Sequence, residues 1–180
     1  TFNINVEKTT RFGEEYLDFL DPHGLHLEIV ARRSGKNSQW TFGGVPADKA
    51  IKGFGGAVLL SSTPDQTMES LSNVFGLVRV GEEGDFVRFQ SSADIGNIID
   101  VKKTVVRKGS LGVGTVHHIA WRAKDVDDHK EWREHISNFG YTVTPFTDRQ
   151  YFDAIYFREE GGILYEVATD PPGFSHDESL

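Results

Sequence analysis

Two adjacent histidines, His117 and His118, precede the apolar pair Ile119-Ala120, and much later Glu166 stands between Tyr165 and Val167. An imidazole and a carboxylate are the ligand types of a divalent-metal site. A ferrous centre of two histidines and one carboxylate keeps positions open for dioxygen and substrate. Strand side chains alternate faces, so His117 and His118 cannot both point at one site. These segments therefore supply one imidazole and one carboxylate, and one histidine is missing from the visible set. A lone strand histidine is more often a hydrogen-bonded wall residue than a ligand. The glutamate is harder to dismiss, because a carboxylate facing an apolar core costs several kcal/mol unless paired or metal-bound; on an edge strand it can face solvent instead. Arg149 and Tyr156 lie on the run leading into the glutamate strand. Arg149 suits an anionic intermediate and Tyr156 proton or hydrogen-bond donation. The plain alternatives are an ion pair of Arg149 with Asp148 or Asp153, and a wall aromatic for Tyr156. His129, His135 and His176 read as solvated, on a charged helix or the tail, and His23 and His26 flank a turn with no assigned role.

The elements that must position these groups come in repeats. Arg11-Phe12-Gly13, Tyr16–Phe19, Asp21–Gly24 and Leu25–Ile29 are echoed 138 positions later by Arg149–Tyr151, Ala154–Phe157, Glu159–Gly162 and Ile163–Val167. Each copy reads as strand, glycine-containing turn, strand, with a glutamate (Glu28 or Glu166) among apolar residues of the second strand. A second pair lies between them. Gly53–Leu60 reads as a strand leading through Pro64-Asp65 into a helix with Met68, Leu71 and Val74-Phe75, stopped by Gly76. Gly114–Trp121 reads as a strand followed by a charged helix with Trp132 and Ile136 on its apolar face, stopped at Phe139-Gly140. Asp65 and Asp125 suit the two helix starts, and Gly76 and Gly140 the two ends. Further strands are expected at 77–80, 86–89 and 97–101, and at 141–145, 154–157 and 163–168.

The repeated unit is thus βαβββ, and the fold class is α+β: tandem βαβββ modules with mixed curved sheets and helices outside. Residues 1–31 read as closing strands of a preceding module, 32–50 as a linker, 51–105 as a module without metal ligands, 106–170 as one with them, and 171–180 as a polar tail. Gly56 occupies the position of His118 in the earlier module, and Glu28 faces no matching histidine, so Glu28 reads as structural or vestigial.

Composition bounds the chemistry further. A net charge of −8 and a pI near 5.3 argue against a nucleic-acid partner. No cysteine is present, which excludes disulfides, thiolate zinc sites and cysteine nucleophiles. No apolar run approaches the ~18 residues of a membrane span. A soluble, cytoplasmic protein is expected.

Gly-Thr-Val-His-His-Ile-Ala at 114–120, Val143-Thr144-Pro145, Asp148-Arg149, Ile155–Glu159 and the long run Tyr165–Phe174 resemble the vicinal oxygen chelate (glyoxalase/extradiol dioxygenase) superfamily, and within it the ring-cleaving dioxygenases that act on hydroquinones. Arg11–Glu14 and Asp21–Leu25 resemble the second unit of the same proteins. The resemblance implies four units, of which this chain holds the end of the second and all of the third and fourth. It implies Fe(II), with Mn(II) as a substitute, held by His118, Glu166 and a histidine outside this chain; His118 is chosen over His117 because it directly precedes Ile119. It further implies catalytic roles for Tyr156, Arg149 and His117, a small aromatic substrate and O2 as partners, and a homo-oligomer or association with the missing portion. A glyoxalase-like lyase or isomerase using Zn(II) or Ni(II), and a non-catalytic aromatic-binding protein, are the alternative readings on this fold.

Overall fold

The computed structural model describes residues 3–38 and 42–177. The expected linker thus includes three residues, 39–41, and the expected tail its last three, that lie outside the described residues. The chain divides into two compact units. The first comprises Thr1–Leu60, Gly76–Thr104 and Gly112–Thr115, and the second Ser61–Phe75, Val105–Leu111 and Val116–Leu180.

The first unit holds an antiparallel meander of β1 (Val6–Arg11), β2 (Glu14–Leu20) and β3 (His26–Val30). Its first turn, Phe12-Gly13, has positive φ at both residues, as a tight hairpin turn requires. A four-stranded sheet follows, with β4 (Gly56–Leu59), β5 (Val78–Glu83), β6 (Phe86–Gln90) and β7 (Ile98–Lys102) in the order β4-β7-β6-β5, β4 running parallel to β7.

The second unit holds helix α1 (Pro64–Asn73), β8 (Ile119–Ala123), helix α2 (Val126–Asn138), β9 (Thr147–Asp148), β10 (Phe152–Arg158) and β11 (Leu164–Pro172). Its sheet has the order β8-β11-β10-β9, with β8 parallel to β11. The architecture is α+β, with mixed sheets and few helices. The chain enters the second unit to form α1 and returns to the first for β5. No helix among the described residues is long and apolar enough to cross a membrane.

One face of the second sheet is a packed core. Ile155, Phe157, Tyr165 and Val167 are fully or almost fully buried. Phe75, just past α1, stacks on Trp121 at 4.3 Å and meets Tyr165 edge-on at 5.1 Å. Helix α2 buries Ile136 completely, worth roughly 1.5–3 kcal/mol. Asp125 caps its start, accepting from the amides of Asp127 and Asp128. Glu159, at the end of the β10–β11 hairpin, is buried and satisfied: its carboxylate accepts from the Thr67 hydroxyl and from the amides of Gly161 and Ile163.

Two local expectations, the solvated His129 and the strand over 141–145, are corrected. His129 is buried, its Nε2 within 2.8 Å of the Val167 carbonyl, because it shares the inward stripe of α2 with Trp132 and Ile136. His135 is exposed, as its charged helix face leads one to expect, although its Nε2 also reaches the Val74 carbonyl at 3.0 Å. The strand expected over 141–145 is irregular, since the Thr144 hydroxyl takes the Tyr156 amide and displaces a regular ladder. Asp65 lies in the first turn of α1, behind Thr63 and Pro64, where its negative charge suits the helix start as expected.

Candidate metal and substrate site

The opposite face of the second sheet carries the candidate site residues. Glu166 on β11 is paired in register with Tyr156 on β10 and with Ala120 on β8, so all three share one face. Ala154 and Ala168 pair on that same face, and three small side chains leave room above the sheet. His118 lies two residues before Ala120, continuing the alternation from just outside β8. Its Nε2 stands 2.8 Å from Glu166 Oε2. The Glu166 side chain is only 3% exposed and His118 is one-third exposed, so the pair opens towards solvent on the imidazole side. Among the described residues no lysine or arginine forms an ion pair with Glu166.

The remaining groups surround this pair. His117 is exposed, and its Nδ1 lies 2.8 Å from His118 Nδ1, so it touches the site through its neighbour. The Tyr156 ring meets His118 edge-on at 5.9 Å, and the Arg149 guanidinium lies over that same ring at 5.5 Å. Burial raises the Tyr156 pKa above the ordinary phenol value; Arg149 pulls it down and Glu166 pushes it further up. Arg149 forms no ion pair with Asp148 or Asp153; Asp148 instead accepts the amide of Gln150 at 2.7 Å. The structure therefore brings His118, Glu166, Tyr156 and Arg149 together, with His117 behind the first.

The corresponding positions of the first unit are filled differently. Asp100 on β7 pairs with Arg88 on β6 and Val58 on β4, as Glu166 pairs with Tyr156 and Ala120. Two residues before Val58 stands Gly56, the topological counterpart of His118. A Cβ there would lie 2.1 Å from the Ile98 carbonyl oxygen, so no side chain fits. Asp100 accepts from Arg11 Nε at 2.8 Å and from Arg88 at 2.7 and 2.9 Å. Glu28 has both oxygens bound by Arg11, at 2.9 and 2.8 Å. Asp18, His26 and Glu28 do converge, their ligand atoms lying within 4.8 Å of one another. The Arg11 fork on Glu28 and the 2.6 Å contact of His26 with Asp18 leave that group already satisfied within the protein.

A sheet of this topology, with a histidine before its first strand and a glutamate on its last, defines a class. The Glyoxalase/Bleomycin resistance protein/Dioxygenase superfamily model matches residues 6–174, and the chain belongs to that superfamily. More particularly, the chain is 61% identical to MhqO of Bacillus subtilis (strain 168), named as a ring-cleaving dioxygenase, over 99% of this chain and 57% of that protein. It is 32% identical to the chlorohydroquinone/hydroquinone 1,2-dioxygenase of Sphingobium indicum, over 96% of this chain and 56% of that protein. A crystal structure of a Bacillus subtilis subsp. subtilis str. 168 protein described as a dioxygenase superposes with a TM-score of 0.95 at 61% identity, covering 98% of this chain and 57% of that one. The chain thus spans rather more than half the length of the curated relatives it matches.

Proposed function

We propose that this chain carries part of a ring-cleaving dioxygenase that opens a hydroquinone-type or catecholic ring at an Fe(II) centre. The observation supporting it is the Glu166 carboxylate, buried with no lysine or arginine paired to it among the described residues and 2.8 Å from an imidazole nitrogen. A buried carboxylate so placed fits a divalent cation, which would supply the charge the protein omits. His118 Nε2 and Glu166 would hold it, with a third ligand from outside the residues gathered here; Mn(II) fits the same oxygen and nitrogen donors. The names of the curated relatives support an aromatic diol as substrate. The module boundaries at 51–105 and 106–170, with 1–31 closing an earlier module, belong to the same proposal.

When bound, the ion supplies Lewis acidity towards a substrate hydroxyl and an electron route to dioxygen. The chain's own groups divide the rest. His117 Nδ1 accepts the Nδ1 proton of His118, which fixes the tautomer that leaves Nε2 free to coordinate. The Tyr156 hydroxyl, held protonated by its burial, donates towards the ring oxygen. The Arg149 guanidinium sits where negative charge grows on the opening ring and stabilises it. The wall of Ala120, Ala154 and Ala168 gives the flat ring its space.

The test is anaerobic loading with Fe(II), followed by oxygen uptake against a panel of hydroquinones and catechols. One O2 consumed per ring-opened product supports the reading. Tight aromatic binding with no uptake, unchanged by chelation, would replace it with a binding protein.

A further inference from the structure

The closing motif Thr169–Phe174 takes no part in the ligand set, and the loop presenting Arg149 has a conformation that needs holding. Gln150 has a φ of +69°, and the Tyr151 amide donates to the Arg149 carbonyl at 2.8 Å, which makes a γ-turn centred on a residue with a side chain. Such backbone costs about 1–3 kcal/mol and persists only where its surroundings over-determine it. Its own strand supplies some of that restraint, through Asp148 on the Gln150 amide and the Arg149 amide on the Phe152 carbonyl. On another side an open cavity of about 790 Å³, lined by Asp148, Arg149, Gln150, His176 and Asp177, gives no support.

We propose that the segment Gly173–Asp177 is a clamp that positions Arg149 over Tyr156, with Phe174 and Asp177 as its positioning residues; this rests on Arg149 acting in the site described above. The Gly173 amide donates to the Tyr151 carbonyl at 2.9 Å. The Phe174 ring stacks on Tyr151 at 5.2 Å and lies 6.1 Å from Phe152. Asp177 accepts from the Gln150 side-chain amide and the Tyr151 hydroxyl, each at 3.4 Å. Every one of these contacts falls on residues 150–152, leaving the Arg149 guanidinium free to lie on the Tyr156 ring. The clamp is launched from β11 itself, where the Thr169 hydroxyl accepts the Asp153 amide and donates to the Pro171 carbonyl. There the β10–β11 register shifts between Phe152 and Ala154, a device that re-aims a strand end beside a site. One strand therefore places both the carboxylate and, through its tail, the cation. Gly173 has a φ of +84°, and a Cβ on it would lie 3.4 Å from the Asp170 carbonyl oxygen, so the turn into the clamp favours glycine.

The experiment compares Phe174→Ala, Gly173→Ala, Phe174→Tyr, Arg149→Gln and the double variant Phe174→Ala/Arg149→Gln in the full iron-loaded protein. Deuterium exchange at Gln150–Phe152 is expected to quicken in Phe174→Ala and Gly173→Ala while β11 stays protected. With a hydroquinone, kcat is expected to fall about ten- to a hundredfold with KM within about twofold, since a displacement of about 1 Å costs that much. Phe174→Tyr keeps the stack and restores the rate, and the double variant is no slower than Arg149→Gln alone. Unchanged exchange at 150–152, or rate losses that multiply in the double variant, would overturn the clamp. Should the unaltered protein consume no oxygen, the proposed function fails; exchange alone then decides, faster supporting the clamp and unchanged refuting it.

Discussion

The sheet of the first unit and the sheet of the second share a topology, β4-β7-β6-β5 against β8-β11-β10-β9, yet they treat the same position in opposite ways. Each carries a buried carboxylate on its last strand, Asp100 or Glu166. Asp100 is gripped by two arginines through three hydrogen bonds, and the strand start opposite has a glycine pressed against a carbonyl. Glu166 has a tyrosine where Asp100 has Arg88, and a histidine where the first unit has Gly56. The fold thus offers a pocket for one negative charge in each copy. Where arginine fills it, the result is a brace. Where, among the described residues, no lysine or arginine pairs with it, the carboxylate meets an imidazole instead, which is where the proposed metal ion would bind.

Three changes would break or sharpen this contrast. Glu166→Gln should abolish iron retention and lower oxygen uptake at least about a thousandfold, since several kcal/mol of charge stabilisation vanish with the ion. Its metal-free stability to urea should hold or rise, because a buried charge has been removed. Asp100→Asn should do the reverse. It removes the charge that faces two almost wholly enclosed guanidiniums, leaving Arg11 on Glu28 and Arg88 on Glu14, and should lower unfolding stability by about 1–3 kcal/mol. A loss of stability in the Glu166 variant matching that of the Asp100 variant would erase the distinction. The smallest effect concerns acid. Burial pushes Glu14 up, but hydrogen bonds from Arg32, Tyr16 and Arg88 outweigh it and hold its pKa at about 2, below the ordinary 4.5. A depressed carboxylate stabilises the fold above its unfolded value and loses that contribution as pH falls from about 4.5 to about 2. Urea midpoints measured across that window should decline in the unaltered protein and decline less steeply in Glu14→Gln. An equal slope would remove Glu14 from the brace.

The repeat at 138 residues, the Glu166 strand and the Gly56-for-His118 exchange were legible because strand alternation and glycine turns leave local marks. The burial of His129 was legible in principle, since His129, Trp132 and Ile136 stand at i, i+3 and i+7, but the surrounding charges masked the stripe. The arginine brace was not legible. Arg11 and Asp100 are 89 residues apart, and nothing in either neighbourhood names the other. The same holds for the tail, whose contacts with the Arg149 loop depend on a turn at Gly173 and a register shift that no hydrophobic pattern encodes. The spacing that offered Asp148 or Asp153 as partners for Arg149 failed because a γ-turn carries the guanidinium to Tyr156 instead.

The Thr67–Glu159 hydrogen bond has a consequence in time. It joins α1 to the β10–β11 hairpin across 92 residues of chain. At a synthesis rate of about 5–20 residues per second, α1 leaves the ribosome roughly 5–20 s before the hairpin that receives it. During that interval Leu71 and Val74, buried in the finished protein, have no sheet to cover them. The second unit must therefore wait for nearly the last of its strands, and the nascent chain is most open to chaperone capture while α1 waits.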